Sequence, residues 1–302
     1  EIEEVIEFRT PWMKAAPGPR ADDERIIETL ARRGFDAAVI FTVYSQNPLP
    51  AAYMCYLAGI PLRLAHCREN PYHLLTSWVP DPEPLPAARH EVRRQLDLVA
   101  SVGCHPRHTR LSFAIPAESR RRAARVLAAL DVDPDRPLIA AHPGATAASR
   151  RYPPDQFGAA LALVAAATEC TIVLTGDAAE RALVEQVRAA AGNSARSLAG
   201  GLDLADLGAV IAAADVLITN NTAPAHIGAA VGTPVVDIYA LTNPQHTPWE
   251  VEHRLIYHDV PCRWCYKSSC PLEHHECLRV VKPEAVACAA MQILGVARRN
   301  AR

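Results

Sequence analysis

Between residues 138 and 240 the chain alternates short apolar runs with Ala-rich segments, and the connections between them are only a few residues long. The runs at 138–141, 171–175, 215–219 and 234–240 have strand length and little polar interruption. The segments at 155–167, 178–191 and 203–213 carry the three-and-four apolar spacing of helices. Strands apolar on both faces, joined by helical crossovers, specify a parallel sheet covered on both sides. The N-terminal part repeats the pattern less evenly. Residues 3–7 read as the end of a strand, followed by a helix at 22–33 stopped by Gly34 and a strand at 35–41. A helix at 46–58 stopped by Gly59, a strand from 60 and a helix at 90–102 stopped by Gly103 come next.

Two domains follow from length and from one break in the pattern. At 302 residues the chain exceeds a single typical core and suits two domains of roughly 120 to 180 residues. The polar, irregular stretch 104–116 reads as the linker, dividing the chain into 1–116 and 117–302. A closing helix is expected at 283–296. The formal net charge of -2, with scattered arginines, provides no field for nucleic acid. No run is long and apolar enough to span a bilayer. The start, Glu1-Ile2-Glu3-Glu4, lacks Met and the basic region of a secretory leader, so the chain is expected to begin mid-protein with an incomplete first domain.

In parallel sheets with helices on both faces, ligands lie beyond the carboxyl ends of the strands. That rule selects four loops in the second part: His142-Pro143-Gly144-Ala145-Thr146, Gly176-Asp177, Asn220 to Ala225, and Leu241 to Gln245. The third is the most informative. An apolar run ends at Asn220-Asn221-Thr222-Ala223-Pro224-Ala225-His226 and passes into a small-residue helix closed by Gly232. A helix start beyond a strand offers unpaired N–H groups to a phosphate or diphosphate.

Together, Asn221-Thr222-Ala223-Pro224-Ala225-His226, His142-Pro143-Gly144-Ala145 and Leu174-Thr175-Gly176-Asp177 resemble the donor half of glycosyltransferase family 9, the ADP-heptose:lipopolysaccharide heptosyltransferases. The resemblance runs from Phe35-Asp36 to the C-terminal cysteine segment. It implies an α/β protein of the GT-B type, two Rossmann-like domains with parallel sheets and a cleft between them. The N-terminal domain would take the acceptor and the C-terminal domain the nucleotide sugar. The implied activity is an inverting transfer of heptose from ADP-heptose to a lipopolysaccharide core or other glycan acceptor, with no cofactor required. The implied place is the cytoplasm, at the inner face of the cytoplasmic membrane, where Arg93-Arg94 and Arg120-Arg121-Arg122 are candidates for peripheral lipid contact.

The family pattern at the strand–helix turn is Asp-Ser/Thr-Gly-x-x-His, so this chain carries Asn at 221 and Ala at 223. By the resemblance, Asn221 orients the donor sugar, and Thr222, Ala223, His226 and Arg150 meet the diphosphate. Gly144 and Gly176 line the donor site, and Glu180 takes the nucleoside end. Arg150 stands where the family commonly has Lys, which keeps the charge but makes it a fork. The family's opening Gly-Asp loop, source of its proposed catalytic Asp, has no counterpart in this sequence, and no catalytic residue is assigned. A non-catalytic sugar-nucleotide-binding protein is the alternative this leaves.

Each residue also has a plainer reading. Asn221 and Thr222 suit a helix cap, His226 a half-buried core position, Arg150-Arg151 a solvated pair, the glycines simple turns, and Glu180 a solvent-facing helix position. A dinucleotide oxidoreductase is disfavoured, because no Gly-x-Gly-x-x-Gly follows a strand, and a P-loop is absent.

The cysteines pose a separate question. Cys262-x2-Cys265-x4-Cys270-x6-Cys277, with His274 and His275 nearby, has spacing compatible with structural zinc, an iron–sulfur cluster, free thiols or bridges. The total of nine cysteines is odd and the other five are dispersed, which fits a reducing compartment.

Overall fold

The alternation read from the sequence is realised as two separate parallel sheets, the first of three strands and the second of six. A computed structural model describes residues 2–12, 18–81 and 88–295. The chain divides into two units, Glu1–Thr109 and Arg110–Arg302. The boundary lies inside the stretch expected to be a linker, seven residues before its end. The reason is apolar: Phe113 packs against the core of the second unit, and Ile115 against a smaller cluster beside it.

The first unit runs α1 (Arg20–Arg33), β1 (Ala37–Ile40), α2 (Leu49–Leu57), β2 (Leu62–Cys67), β3 (Ser77–Pro80) and α3 (Glu91–Ala100). Its sheet order is β1-β2-β3, with Ile40, Ala52, Ala65, Cys67 and Leu75 at its core. Residues 3–7, expected to end a strand, join no ladder. β3 escaped the sequence reading because only four residues long, Ser-Trp-Val-Pro, it has no period to read. Arg94 corrects another expectation. It is 1% exposed and forks onto Asp81 at 2.7 Å and Glu91 at 2.8 Å, so it cannot meet lipid. Arg93 pairs with Asp97, Arg121 with Glu118, and Arg122 with Asp203 and Asp206.

The second unit runs α4 (Ala117–Ala129), β4 (Leu138–His142), α5 (Pro154–Ala167), β5 (Thr171–Leu174), α6 (Arg181–Ala190), β6 (Ala195–Ser197), α7 (Leu204–Ala213), β7 (Val216–Asn220), α8 (Ala223–Val231), β8 (Val235–Ile238), β9 (His253–Ile256), α9 (Glu276–Arg279) and α10 (Pro283–Ile293). The strand order is β6-β5-β4-β7-β8-β9, parallel throughout. Chain order therefore moves outward from β4 to β6, then returns to β7 and moves outward the other way. The reversal point lies between β4 and β7, the crevice where doubly wound sheets bind ligands.

Alternation along the strands sorts the core. Ile139, Ala141, Ile218, Val236 and Ile238 join the cluster under α5, α6 and α10. Ala140, Leu217 and Val235 join the cluster of Leu127, Ile211 and Ile227, from α4, α7 and α8. β4 and β7 are buried along their whole length, so each reads as an unbroken apolar run rather than as an alternating one. Asn220, itself fully buried, closes the reversal point. Its amide donates to the Pro143 carbonyl at 2.6 Å and accepts from Tyr152 N–H at 3.1 Å.

Candidate functional site

A cavity of about 270 Å3 opens at the reversal point, walled by the loops after β4, β5 and β7 and by the start of α7. Its lining includes His142, Ala145 and Thr146 from the first loop and Gly176, Asp177 and Glu180 from the second. Thr222, Ala223, Pro224 and Ile227 come from the β7–α8 turn and helix, and Leu202, Asp203, Leu204 and Leu207 from the β6–α7 connection. Three of the four loops picked from the sequence meet here. The fourth, after β8, does not line the cavity. The β6–α7 connection takes its place. It was missed because β6 is only three residues long, too short to announce a fifth loop.

Glu180 organises one wall. It exchanges bonds with Asp177: the Asp177 N–H reaches Glu180 Oε2 at 3.0 Å, and the Glu180 N–H reaches Asp177 Oδ1 at 2.9 Å. This reciprocal arrangement satisfies two donors at the entry to α6, as a capping box does. His142 Nε2 lies 3.7 Å from Glu180 Oε2, and its Nδ1 lies 3.0 Å from Thr175 Oγ1. The Thr175 hydroxyl also donates to the Ala141 carbonyl at 3.4 Å. Burial pushes the His142 pKa down, with Glu180 and Asp177 opposing it. Glu180 is thus a fixed wall of the cavity, not a solvent-facing helix residue.

Gly144 and Gly176 exist for that wall. A methyl group at Gly144 would lie 2.0 Å from Glu180 Oε1, and one at Gly176 would lie 3.3 Å from Glu180 Cβ and 2.9 Å from Val184 Cγ2. Neither glycine has positive φ. Gly144 leaves room for Glu180 and Gly176 chiefly for Val184, and neither is needed for a turn conformation.

The opposite wall is the start of α8. Thr222 occupies the cap position in extended conformation and makes no side-chain capping bond. Pro224 supplies no N–H, and the Ala225 N–H is taken by the Thr222 carbonyl at 3.0 Å. The helix-start donors at the cavity are therefore those of Thr222 and Ala223. The local cap that Asn and Thr could have formed is absent.

Arg150, Asn221 and His226 lie outside this lining. Asn221 is 1% exposed, and neither of its amide atoms has a hydrogen-bonding partner, although the Tyr239 hydroxyl is close enough to feel it. Arg150 sits in a short 3-10 turn, Ala148–Arg150, with its Nε buried and unpartnered. Its charge acts on Asp237, a fully buried carboxyl on β8 with both oxygens unbonded. Burial raises the Asp237 pKa well above the usual carboxylate range, and Arg150 opposes the rise. His226 stands edge-on to His246, ring centres 6.3 Å apart. Arg151, by contrast, donates through Nε to the carbonyl of the lining residue Ala145 at 2.6 Å. Arg151 too lies outside the lining itself.

Cys262, Cys265, Cys270 and Cys277 converge with His274 and His275 on a separate cavity of about 20 Å3. None of the nine cysteines is in a disulfide. Cys262 Sγ lies 3.6 Å from His274 Nε2. The Cys277 thiol is pushed up by burial, with its three neighbouring thiols adding to the rise. Among the described residues no three or more His, Cys, Asp or Glu side chains are arranged as metal ligands.

With this geometry in place, the likeness to known proteins is specific. The family model described as glycosyltransferase family 9 (heptosyltransferase) matches residues 24–276. A lipooligosaccharide heptosyltransferase 2 of Haemophilus influenzae is 26% identical over 230 residues, 72% of this chain and 64% of that protein. Matches to the curated relatives thus span between 20% and 64% of their length, under two thirds. Among solved structures, a glycosyl transferase family 9 protein from Veillonella parvula superposes with a TM-score of 0.73 at 19% identity, covering 91% of this chain and 78% of that one. The ADP-heptose lps heptosyltransferase II of E. coli gives 0.68 at 20% identity, covering 92% and 82%. These two likenesses show the fold.

Proposed function

Because the chain belongs to glycosyltransferase family 9 (heptosyltransferase), we propose that it transfers a heptose from ADP-heptose to a lipopolysaccharide core acceptor with inversion at the anomeric carbon. The observation that carries this reading is the cavity at the β4/β7 reversal point, where a helix start faces a fixed carboxylate. The nucleoside lies against Leu204, Leu207 and Ile227, with Glu180 accepting from the ribose hydroxyls. The diphosphate lies over Thr222 and Ala223, whose N–H groups and hydroxyl meet the charge that grows as it leaves. Arg151, bonded to the lining residue Ala145, and Arg150, in the turn Ala148–Arg150, add cationic charge on that side. Asn221 and His226 fall to the sugar side; Asn221 has no charge and serves to orient. Inversion needs a base at the acceptor hydroxyl, and no residue of the second unit is assigned that role.

The transfer needs no cofactor in this reading. The cysteine segment has a structural part instead: Cys262, Cys265, Cys270 and Cys277 would hold one metal ion. Support comes from the convergence of the four cysteines with His274 and His275 on one small cavity. Trp264, Tyr266, Glu273 and His275 all have positive φ, a conformation that costs non-glycine residues energy and calls for a compensating constraint. A thiolate-bound ion supplies one. The enzyme is placed in the cytoplasm at the inner face of the cytoplasmic membrane by its acceptor; Arg94 plays no part in that contact.

The test is turnover. ADP release from ADP-heptose should depend on a lipopolysaccharide core acceptor and give the inverted linkage. Binding of ADP-heptose with no transfer to any core acceptor would instead leave a sugar-nucleotide-binding protein.

A further inference from the structure

The cavity at the reversal point takes an anion in the reading above, yet its wall is acidic. Among the described residues that line it, Asp177, Glu180 and Asp203 carry carboxylates, none is Lys or Arg, and His142 is the basic side chain. Asp203 meets Arg122 at 3.3 Å, whereas Asp177 and Glu180 accept from each other's backbone N–H groups, which are neutral donors. Arg151 is tied to the Ala145 carbonyl behind the lining, and Arg150 acts on the buried Asp237. A diphosphate entering the cavity adds negative charge to that of Glu180 and Asp177, and crowded like charge favours proton uptake nearby.

His142 is placed to take the proton. It ends β4, is 7% exposed, and reaches the cavity. Facing it are Glu180 and Asp177 at the entry to α6, Asp203 at the start of α7, and on β7 its uncharged register partner Thr219. Thr175 spends its hydroxyl hydrogen on the Ala141 carbonyl. The ring must then donate at Nδ1 to meet Thr175, 3.0 Å away, and at Nε2 to meet Glu180. Only the imidazolium does both. At 3.7 Å the Nε2–Glu180 contact is longer than a hydrogen bond, as suits a neutral ring. Burial favours that neutral form, with Glu180 and Asp177 opposing it, and a bound anion joins their side.

We propose that His142 is a positioning residue of the nucleotide site: the arriving diphosphate draws one proton from solvent onto Nε2, and the imidazolium so formed holds the Glu180 carboxylate against the ribose. This rests on the nucleotide reading above and deepens it.

The test is calorimetric titration of the 302-residue protein with ADP-heptose at about pH 7, just above the ordinary histidine pKa, in two buffers of different ionisation heat. The difference in apparent heat counts the protons taken up on binding. The diphosphate of ADP-heptose is a diester that does not titrate near neutrality, so the protons counted belong to the protein. We expect about half a proton or more per ligand, and affinity that falls about threefold or more from about pH 6 to about pH 8. Adenosine, without phosphates, should bind with no uptake. No uptake on ADP-heptose binding, or the same uptake with adenosine, would overturn the proposal. His142→Gln should bind ADP-heptose with no uptake and a flat pH profile; uptake that persists places the proton elsewhere and sinks the assignment. If that variant does not fold, Glu180→Gln decides, because loss of the anionic partner should cut the uptake at least by half, and unchanged uptake contradicts the pairing. Absence of ADP-heptose binding in the unaltered protein strikes the nucleotide reading itself, and this inference with it.

Discussion

Glu180 Oε1 sits so close to Gly144 that a single methyl group on that glycine would lie 2.0 Å from it. The carboxylate is also fixed by the Asp177 N–H and faced by His142, so it cannot give way without leaving the cavity wall. Gly144→Ala should therefore act as a Glu180 displacement. We expect a folded protein whose affinity for ADP falls about tenfold, near 1.4 kcal/mol, matching Glu180→Gln. Unchanged affinity would remove Glu180 from the nucleoside contact.

Thr222 and Ala223 supply the helix-start donors, and the Thr222 hydroxyl is not consumed by a cap. Thr222→Ala should weaken ADP binding by about 1.5–3 kcal/mol, the value of a hydrogen bond to a charged group. Adenosine, which lacks phosphates, should bind equally to both proteins. Equal losses for the two ligands would mean that the substitution disturbs the cavity as a whole.

Arg150 and Arg151 are adjacent in sequence and differ in surroundings. Arg151 is tied to a lining residue, whereas Arg150 runs inward toward Asp237. Arg151→Ala should lower ADP affinity with little change in melting temperature. Arg150→Ala should also lower the melting temperature, because it leaves Asp237 without a compensating charge. Calorimetric melting of the two variants checks the difference; identical melting behaviour would contradict it.

Asp237 gives a pH signature. Its folded pKa is raised well above the ordinary carboxylate value by burial, so the folded state holds the proton more tightly than the unfolded chain. That stabilisation is complete below the unfolded pKa, near 4, and is lost as the pH rises through the folded value. Asp237→Asn removes the titration. At pH 8 we expect it to melt at least about 3 °C above the unaltered protein, the shift that 1 kcal/mol produces in a domain of this size. At pH 4 the gap should close. A gap of the same size at both pH values would show that Asp237 is not the titrating group.

Much of this arrangement was legible in the residues. β4, β5 and β7 are largely apolar runs, and the carboxyl-end rule leads directly from them to His142–Thr146, Gly176-Asp177 and Thr222-Ala223. What stayed hidden depended on contacts between distant segments. Leu204 and Leu207 reach the cavity through a three-residue strand without readable period. Arg150 and Arg151 cannot be told apart until the carbonyl of Ala145 and the carboxyl of Asp237 are placed. The service of Gly144 to Glu180, and of Gly176 chiefly to Val184, is a matter of side-chain room, which neighbouring residue types do not encode. Arg94 looked like one of a basic pair, and only the fold brings Asp81 to it.

The central claim is that the cavity between the ends of β4 and β7 receives an adenine nucleotide diphosphate. Isothermal titration of the chain with ADP, UDP, GDP and NAD tests it most directly. We expect saturable binding of ADP alone, weakened by Thr222→Ala and by Gly144→Ala. A folded sample that prefers NAD or UDP, or binds none of the four, would contradict it.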